Sequence, residues 1–186
     1  MLCRRFIGEI IGQLSIALTK VDATTNQANI FQTAKEWAIP TLIGKIELMK
    51  DFAKLYEEEF GGIYESLPQQ IIHRDPNPGN IILSDNNWGI LDFDLSERNI
   101  RIFDPCYAAT AILSENFEAD NTDKLNQWIN IYKNIMRGYD KVVKLSENEW
   151  KAVPYVVITN QLISTAWFSE QEKYRDLYET NKKMTK

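Results

Sequence analysis

The sequence predicts an α+β fold, mostly helical, in which a helical chain is interrupted once by a short β segment. Three observations carry that reading. Apolar residues recur at helical spacing up to residue 60 and again after residue 104. Between them lie three short, apolar, β-branched runs separated by turn residues. The composition, 44% hydrophobic, 11% aromatic and 25% charged, is that of a folded globular chain and not of a disordered one. At 186 residues the chain is read as a single domain, 1–186, large enough to bury its own core.

Phe6, Ile7, Ile10, Ile11, Leu14, Ala17 and Leu18 form one helical face, so a first helix is expected from about residue 4. The polar stretch from Asp22 to Asn29 is read as a loop. Ile46, Met49, Phe52, Ala53, Tyr56 and Phe60 predict a second helix, stopped by Gly61-Gly62. Gln70-Ile71-Ile72-His73 reads as a strand. Ile81-Ile82-Leu83 and Trp88-Gly89-Ile90-Leu91 read as a hairpin closed by Ser84-Asp85-Asn86-Asn87. Asp104-Pro105 suggests an N-cap with proline at the first helical position, opening a helix through Tyr107, Ala108, Ala111 and Ile112. A further helix carries Leu125, Trp128, Ile129, Tyr132, Ile135 and Met136. Ser146 with Glu149, and Ser169 with Glu172, have capping-box spacing, and Val156 to Phe168 is expected to be a buried helix.

The net charge of -5 and the lack of a Lys/Arg run argue against nucleic acid as a partner, and fit a cationic ligand slightly better than an anionic one. The two cysteines, Cys3 and Cys106, have no CxxC partner and are expected to be reduced thiols in a cytoplasmic protein. No apolar run approaches the ~18 residues of a membrane span, so no membrane partner is expected. One histidine and no G-x-S-x-G elbow leave little room for a zinc site or a serine hydrolase.

The unusual residues concentrate in His73-Arg74-Asp75-Pro76-Asn77-Pro78-Gly79-Asn80, followed after the hairpin by Asp92-Phe93-Asp94. Phosphoryl transfer from ATP needs magnesium against the phosphates and a group to take the proton of the attacking hydroxyl. Magnesium prefers oxygen ligands, and one or two carboxylates with an amide oxygen suffice. Asn80 and Asp92 supply those groups from opposite ends of a hairpin, and Asp75 is spaced to orient or deprotonate a hydroxyl. Asp75, Asp92 and Asp94 are expected to converge on a cation, with Arg74, Arg98 and Arg101 as candidates to offset their charge. His73 is expected to be a buried imidazole that holds the loop, with direct proton transfer as the alternative. Chance is a poor explanation of the set. Four fixed positions at average residue usage recur roughly once in 10⁵ starting points.

At these residues the sequence resembles the aminoglycoside phosphotransferase and choline kinase group, relatives of the protein kinases. H-R-D-x-x-x-x-N is common to both, whereas Pro78-Gly79-Asn80 is similar to the small-molecule branch. Asp92-Phe93-Asp94 stands where protein kinases carry Asp-Phe-Gly, and no Ala-Pro-Glu segment follows. The match covers roughly residues 70 to 110. The resemblance implies a protein-kinase-like C-terminal lobe, with Asp75 and His73 at the catalytic position. It also implies ATP and Mg2+ as cofactors, held by Asn80 and Asp92, with Asp94 as a further metal candidate. Asp104 is similar to the family's Gly-Asp-Pro aspartate, which is read here as a helix cap and alternatively as a brace for the loop. Asn77 departs from the family, where many members carry histidine or lysine.

The family also has an N-terminal lobe with a glycine-rich loop and a phosphate-gripping strand lysine; none precedes the first helix here, so that lobe is expected to be absent. Two functions follow. One is ATP- and Mg-dependent transfer to a hydroxyl of a small molecule such as an aminoglycoside, impaired in this chain. The other is an inactive lobe serving as a binding or assembly module. Glu97, Glu115, Glu118 and Asp120 are candidates for an acidic pocket for an amine-bearing substrate. The surface left by the missing lobe is expected to be apolar and to drive homo-oligomer formation.

Overall fold

The computed structural model describes residues 4–47, 49–84 and 87–185, with backbone only for Arg4 and Arg5. Cys3, Asp85 and Asn86 lie outside the described residues.

Helix α1 (Arg4–Leu18) packs along α7 (Thr122–Val143). Two glycines permit the close approach. A Cβ on Gly8 would sit 2.0 Å from the Ile135 carbonyl oxygen, and one on Gly12 2.8 Å from Val142 Cβ. Below this pair lies the main core. A second helical run comprises α2 (Ile30–Thr33), a π-helical turn (Ala34–Ala38) and α3 (Ile39–Leu42). A third comprises α4 (Met49–Leu55), another π-turn (Tyr56–Phe60) and α5 (Gly61–Tyr64). Both pack on the long α8 (Glu147–Ser169), and α9 (Arg175–Met184) closes the far side of α8.

Phe31, Tyr56, Phe60, Tyr64 and Tyr155 interlock at ring separations of 5.2–6.4 Å. Such offset and edge contacts add to the burial of their area. The buried Tyr56 hydroxyl is satisfied by Thr159 Oγ1 at 2.8 Å. Gly61-Gly62 does not stop the second predicted helix, which continues to Tyr64. Gly61 keeps right-handed helical backbone and is small because the Phe31 ring lies on it. A Cβ there would come 2.8 Å from Phe31 Cζ. The run from Ile30 to Leu42 has no counterpart in the sequence reading. Its capping by Asn29, whose side chain accepts the Gln32 N–H, is a local signal that marks its start.

The β structure forms two small antiparallel sheets. Strand β1 (Gln69–Ile72) pairs with β4 (Glu97–Ile100), Gln69 opposite Ile100 and Ile72 opposite Glu97. Strand β2 (Ile81–Leu83) pairs with β3 (Trp88–Ile90), Ile81 opposite Ile90. The hairpin matches the sequence reading, with Ser84 N–H donating to Asn87 O at 2.9 Å. β4 was not anticipated, because Glu-Arg-Asn-Ile has no apolar alternation and is a strand only through its partner.

Helix α6 (Phe103–Asn116) starts one residue before Asp104. Asp104 is not its cap: the N-cap is Ile102, and the Asp104 carboxylate is bonded elsewhere. The Ser146–Glu149 capping box is present in both halves. The Ser169–Glu172 box is not. Ser169 is the last residue of α8, and its hydroxyl donates to Ala166 O. Among the described residues no helix is long and apolar enough to cross a membrane.

Candidate active site

The loop between β1 and β2 is held from beneath by one carboxylate. Asp104, 2% exposed on the first turn of α6, accepts the main-chain N–H of His73 on Oδ2 and that of Arg74 on Oδ1, each at 2.9 Å. Burial pushes its carboxyl up to about 6, although the two N–H donors pull the other way. Arg74 has left-handed backbone, φ 77°, a conformation that costs a non-glycine residue about 1–2 kcal/mol. Its guanidinium donates to Glu97 Oε1 at 2.7 Å and lies 5.4 Å from the Phe103 ring centre.

His73 is fully buried. Its Nδ1 accepts the Asp75 N–H at 3.3 Å, which places the ring proton on Nε2, 2.9 Å from Leu91 O. The Phe93 ring packs 4.6 Å away. Both ring nitrogens are thus engaged, one within the loop and one with the end of the hairpin, the geometry of a structural imidazole.

Asp75 is only partly buried. Its Oδ1 accepts Asn77 Nδ2 at 2.9 Å and its Oδ2 accepts Asn80 Nδ2 at 3.2 Å; Asn80 Nδ2 also lies 2.9 Å from Asp75 O. Asn77 Oδ1 in turn accepts Gly79 N–H at 2.8 Å, and Pro78–Asn80 forms a single 3₁₀ turn. Because Asn80 turns its amide nitrogen toward Asp75, its Oδ1 is the atom not used in those bonds.

The hairpin then carries the chain back. Leu91 N–H donates to Asn80 O at 3.0 Å, so Asp92 follows directly on the residue paired with Asn80. Asp92 is exposed and, like Arg74, left-handed, with φ 65°. Asp94 is also exposed, in the turn that Ser96 N–H closes onto Phe93 O. Among the described residues no three His, Cys, Asp or Glu side chains are grouped closely enough to hold a metal ion. Asp75 is engaged by Asn77 and Asn80, whereas Asp92 and Asp94 are exposed two residues apart. Two of the three candidate arginines are engaged elsewhere: Arg74 is bound to Glu97, and Arg101 makes a two-pronged pair with Glu149 at 2.6 and 2.8 Å.

The sequence reading marks Asn77 only as a departure from the family and does not bring Tyr107 to the site. Asn77 is a hydrogen-bonding link between Asp75 and Gly79. Tyr107 lies beside Asp75. Its hydroxyl is pushed up to about 12, first by burial and then by the Asp75 charge. Its position three residues after Asp104, on the same side of α6, was the available signal.

The proposed acidic pocket is not a single site. Glu97 belongs to Arg74 and Asn99. Glu118 is ion-paired to Lys124 and accepts Asn121 Nδ2; Lys124 chiefly holds its carboxyl below the usual range. Around Asp92, Ile82, Leu91, Phe93 and Leu95 are 43–56% exposed, an apolar surface beside the loop.

Residues 21–142 match the profile of the phosphotransferase enzyme family. Among solved structures the chain is similar to amicoumacin kinase hAmiN, in a complex with AMP-PNP, Ca2+ and Ami. The TM-score is 0.66 at 9% identity, over 98% of this chain and 58% of that one. The chain thus spans less than two thirds of that kinase. No curated protein matches its sequence. With more than half of its length in the family profile and a kinase-like fold throughout, this chain belongs to the phosphotransferase enzyme family.

Proposed function

We propose that this chain is the large lobe of an ATP- and Mg-dependent phosphotransferase that acts on a hydroxyl of a small molecule. The observation that carries this is the arrangement of Asp75, Asn80 and Asp92. Asp75 is a part-buried carboxylate fixed by two amide donors, and Asn80 and Asp92 sit at the paired ends of one hairpin. Asp75 is the proposed base, placed to orient the acceptor hydroxyl and take its proton. His73 positions Asp75 through its backbone N–H and ties the loop to Leu91.

The residues present fit magnesium. Asn80 Oδ1 and the Asp92 carboxylate are hard oxygen donors, and two such groups are enough when phosphate oxygens and water complete the shell. Asp94 is an additional exposed oxygen donor beside them. Bound there, the ion would supply charge neutralisation between the β- and γ-phosphates. The kinase with similar fold was solved with a nucleotide analogue and a divalent cation, which supports the reading. A cytoplasmic setting fits the buried, unpaired thiol of Cys106.

A second reading is favoured by the exposed apolar residues around Asp92. The lobe would then be inactive alone and serve as a module that a partner or a further lobe completes. Calorimetric titration with MgATP separates the two. Micromolar binding that Asp92→Ala abolishes supports the enzyme; no heat from the intact chain supports the passive lobe.

A further inference from the structure

We propose that the cleft between the end of α6, the 117–121 connection and α7 is a second ligand site, taking a small zwitterion with an apolar body such as an aromatic α-amino acid. The cavity is about 200 Å3, and its apolar wall includes Leu113, Phe117, Leu125 and Trp128. An adjoining cavity of about 270 Å3 shares Phe117, Asp120 and Lys183 with it. Either alone is smaller than the roughly 300–1,000 Å3 of sites that take drug-sized molecules, so the ligand is small.

The charges select the class. Glu118 and Lys124 also line the cleft but neutralise each other. Asp120 and Lys183 remain. They come from different elements, one from the connection after α6 and one from α9. Among the described residues neither side chain has a hydrogen bond or an ion pair, and the two are not within 4.0 Å of each other. One unpaired carboxylate and one unpaired ammonium over an apolar wall complement an ammonium and a carboxylate on one apolar ligand. A polycation would find one free anion and a repelling lysine.

The cleft is separate from the loop around Asp75. Tyr107, beside Asp75, and Asn116, in the cleft wall, are nine residues apart on α6. At about 100° per residue Asn116 faces the opposite side of α6 from Tyr107, and Leu113, six residues from Tyr107, lies about 120° round from it, so the cleft opens on a different face of the helix. The inference therefore does not rest on the phosphotransferase reading.

The indole N–H of Trp128 donates to Ala109 O at 2.8 Å, which makes its amide-type NMR resonance a reporter of the cleft. The full chain is titrated with L-phenylalanine, phenethylamine, 3-phenylpropanoate and kanamycin. The expected result is a saturable shift of that resonance by L-phenylalanine at millimolar concentration. The two singly charged analogues should bind about three- to fivefold more weakly, the scale of an exposed charge pair. Asp120→Asn should erase the advantage over 3-phenylpropanoate, and Lys183→Met the advantage over phenethylamine, with the remaining spectrum unchanged. The proposal is overturned if L-phenylalanine gives no saturable shift, if phenethylamine equals it, or if kanamycin binds the cleft most tightly. MgATP binding is measured separately and is indifferent to each outcome.

Discussion

Asp104 Oδ2 accepts the backbone N–H of His73 at 2.9 Å across 31 residues of sequence, and thereby fixes the start of the loop that carries Asp75. The Arg74 N–H occupies the other carboxylate oxygen, so one buried side chain sets two successive peptide units. One of them has the left-handed backbone of Arg74. The strain of that residue is held in place by a bond that no local propensity supplies.

The pH dependence of stability should carry the mark of Asp104. Burial raises its carboxyl to about 6 from 3.8, so the native state keeps a proton that the unfolded chain has already lost. The contribution is complete below the unfolded value and is lost as pH rises toward about 6. Its upper bound is about 3 kcal/mol, at 1.36 kcal/mol per unit. Urea unfolding of the parent and of Asp104→Asn from about pH 4 to about pH 7 isolates it. The difference in stability between the two should move against the parent as pH rises.

Glu149→Gln should be strongly destabilising. Glu149 is fully buried and Arg101 is one-fifth exposed, so the change leaves a partly desolvated guanidinium without its anion. Burial pushes the Glu149 carboxyl up, but Arg101 and the Ser146 N–H together bring it below the usual range. Removing one partner of a buried pair costs about 3–5 kcal/mol, and the partial exposure of Arg101 places this case near the lower end. The same substitution weakens the capping box at the start of α8. The midpoint of thermal unfolding measures the sum.

Gly8→Ala tests the α1–α7 contact. The added Cβ would meet the Ile135 carbonyl oxygen at 2.0 Å, and backbone cannot rotate away as a side chain can. The two helices must separate, at a cost above the roughly 1–3 kcal/mol typical of overpacking. Gly62→Ala, with no atom within 4 Å of its new Cβ, is the matched control and should be neutral or stabilising in the same denaturation experiment.

Asp75→Asn should separate chemistry from folding. The asparagine retains one oxygen for the donors from Asn77 and Asn80, so far-UV circular dichroism should be unchanged. In any preparation that transfers phosphate, the loss of the base should lower kcat by about 10²–10⁴ with little change in KM for ATP. An activity equal to the parent would remove Asp75 from the proposed chemistry.

What could be read from the sequence was what short range determines. His73, Asp75, Asn80 and Asp92 are legible because a loop and one hairpin place them, and both are encoded within twenty residues. Ser146 and Glu149 are legible for the same reason. Of the two roles the sequence offers Asp104, the cap is not made and the brace is, through partners 30 and 31 residues upstream that no local pattern reveals. Gly61 was misread because its smallness answers to Phe31, thirty positions earlier. β4 is polar and becomes a strand only beside β1. The three carboxylates were expected together because charge and proximity in sequence suggested it. What the sequence does not show is that Asp75 is engaged by two asparagines and that Asp94 sits in a turn closed between Phe93 and Ser96.

The hairpin of β2 and β3 shares no strand pairing with the sheet of β1 and β4. Its tethers to the rest of the molecule include the imidazole bond to Leu91 and the packing of Ile90 against Leu14, Leu18 and Ile71. A segment so lightly moored opens to solvent more readily than the helices beneath it. An ion gripped jointly by Asn80 and Asp92 would act as a clasp across its two ends. Deuterium uptake along 80–92 should then slow when magnesium nucleotide is added, well before any change is seen in the helical body.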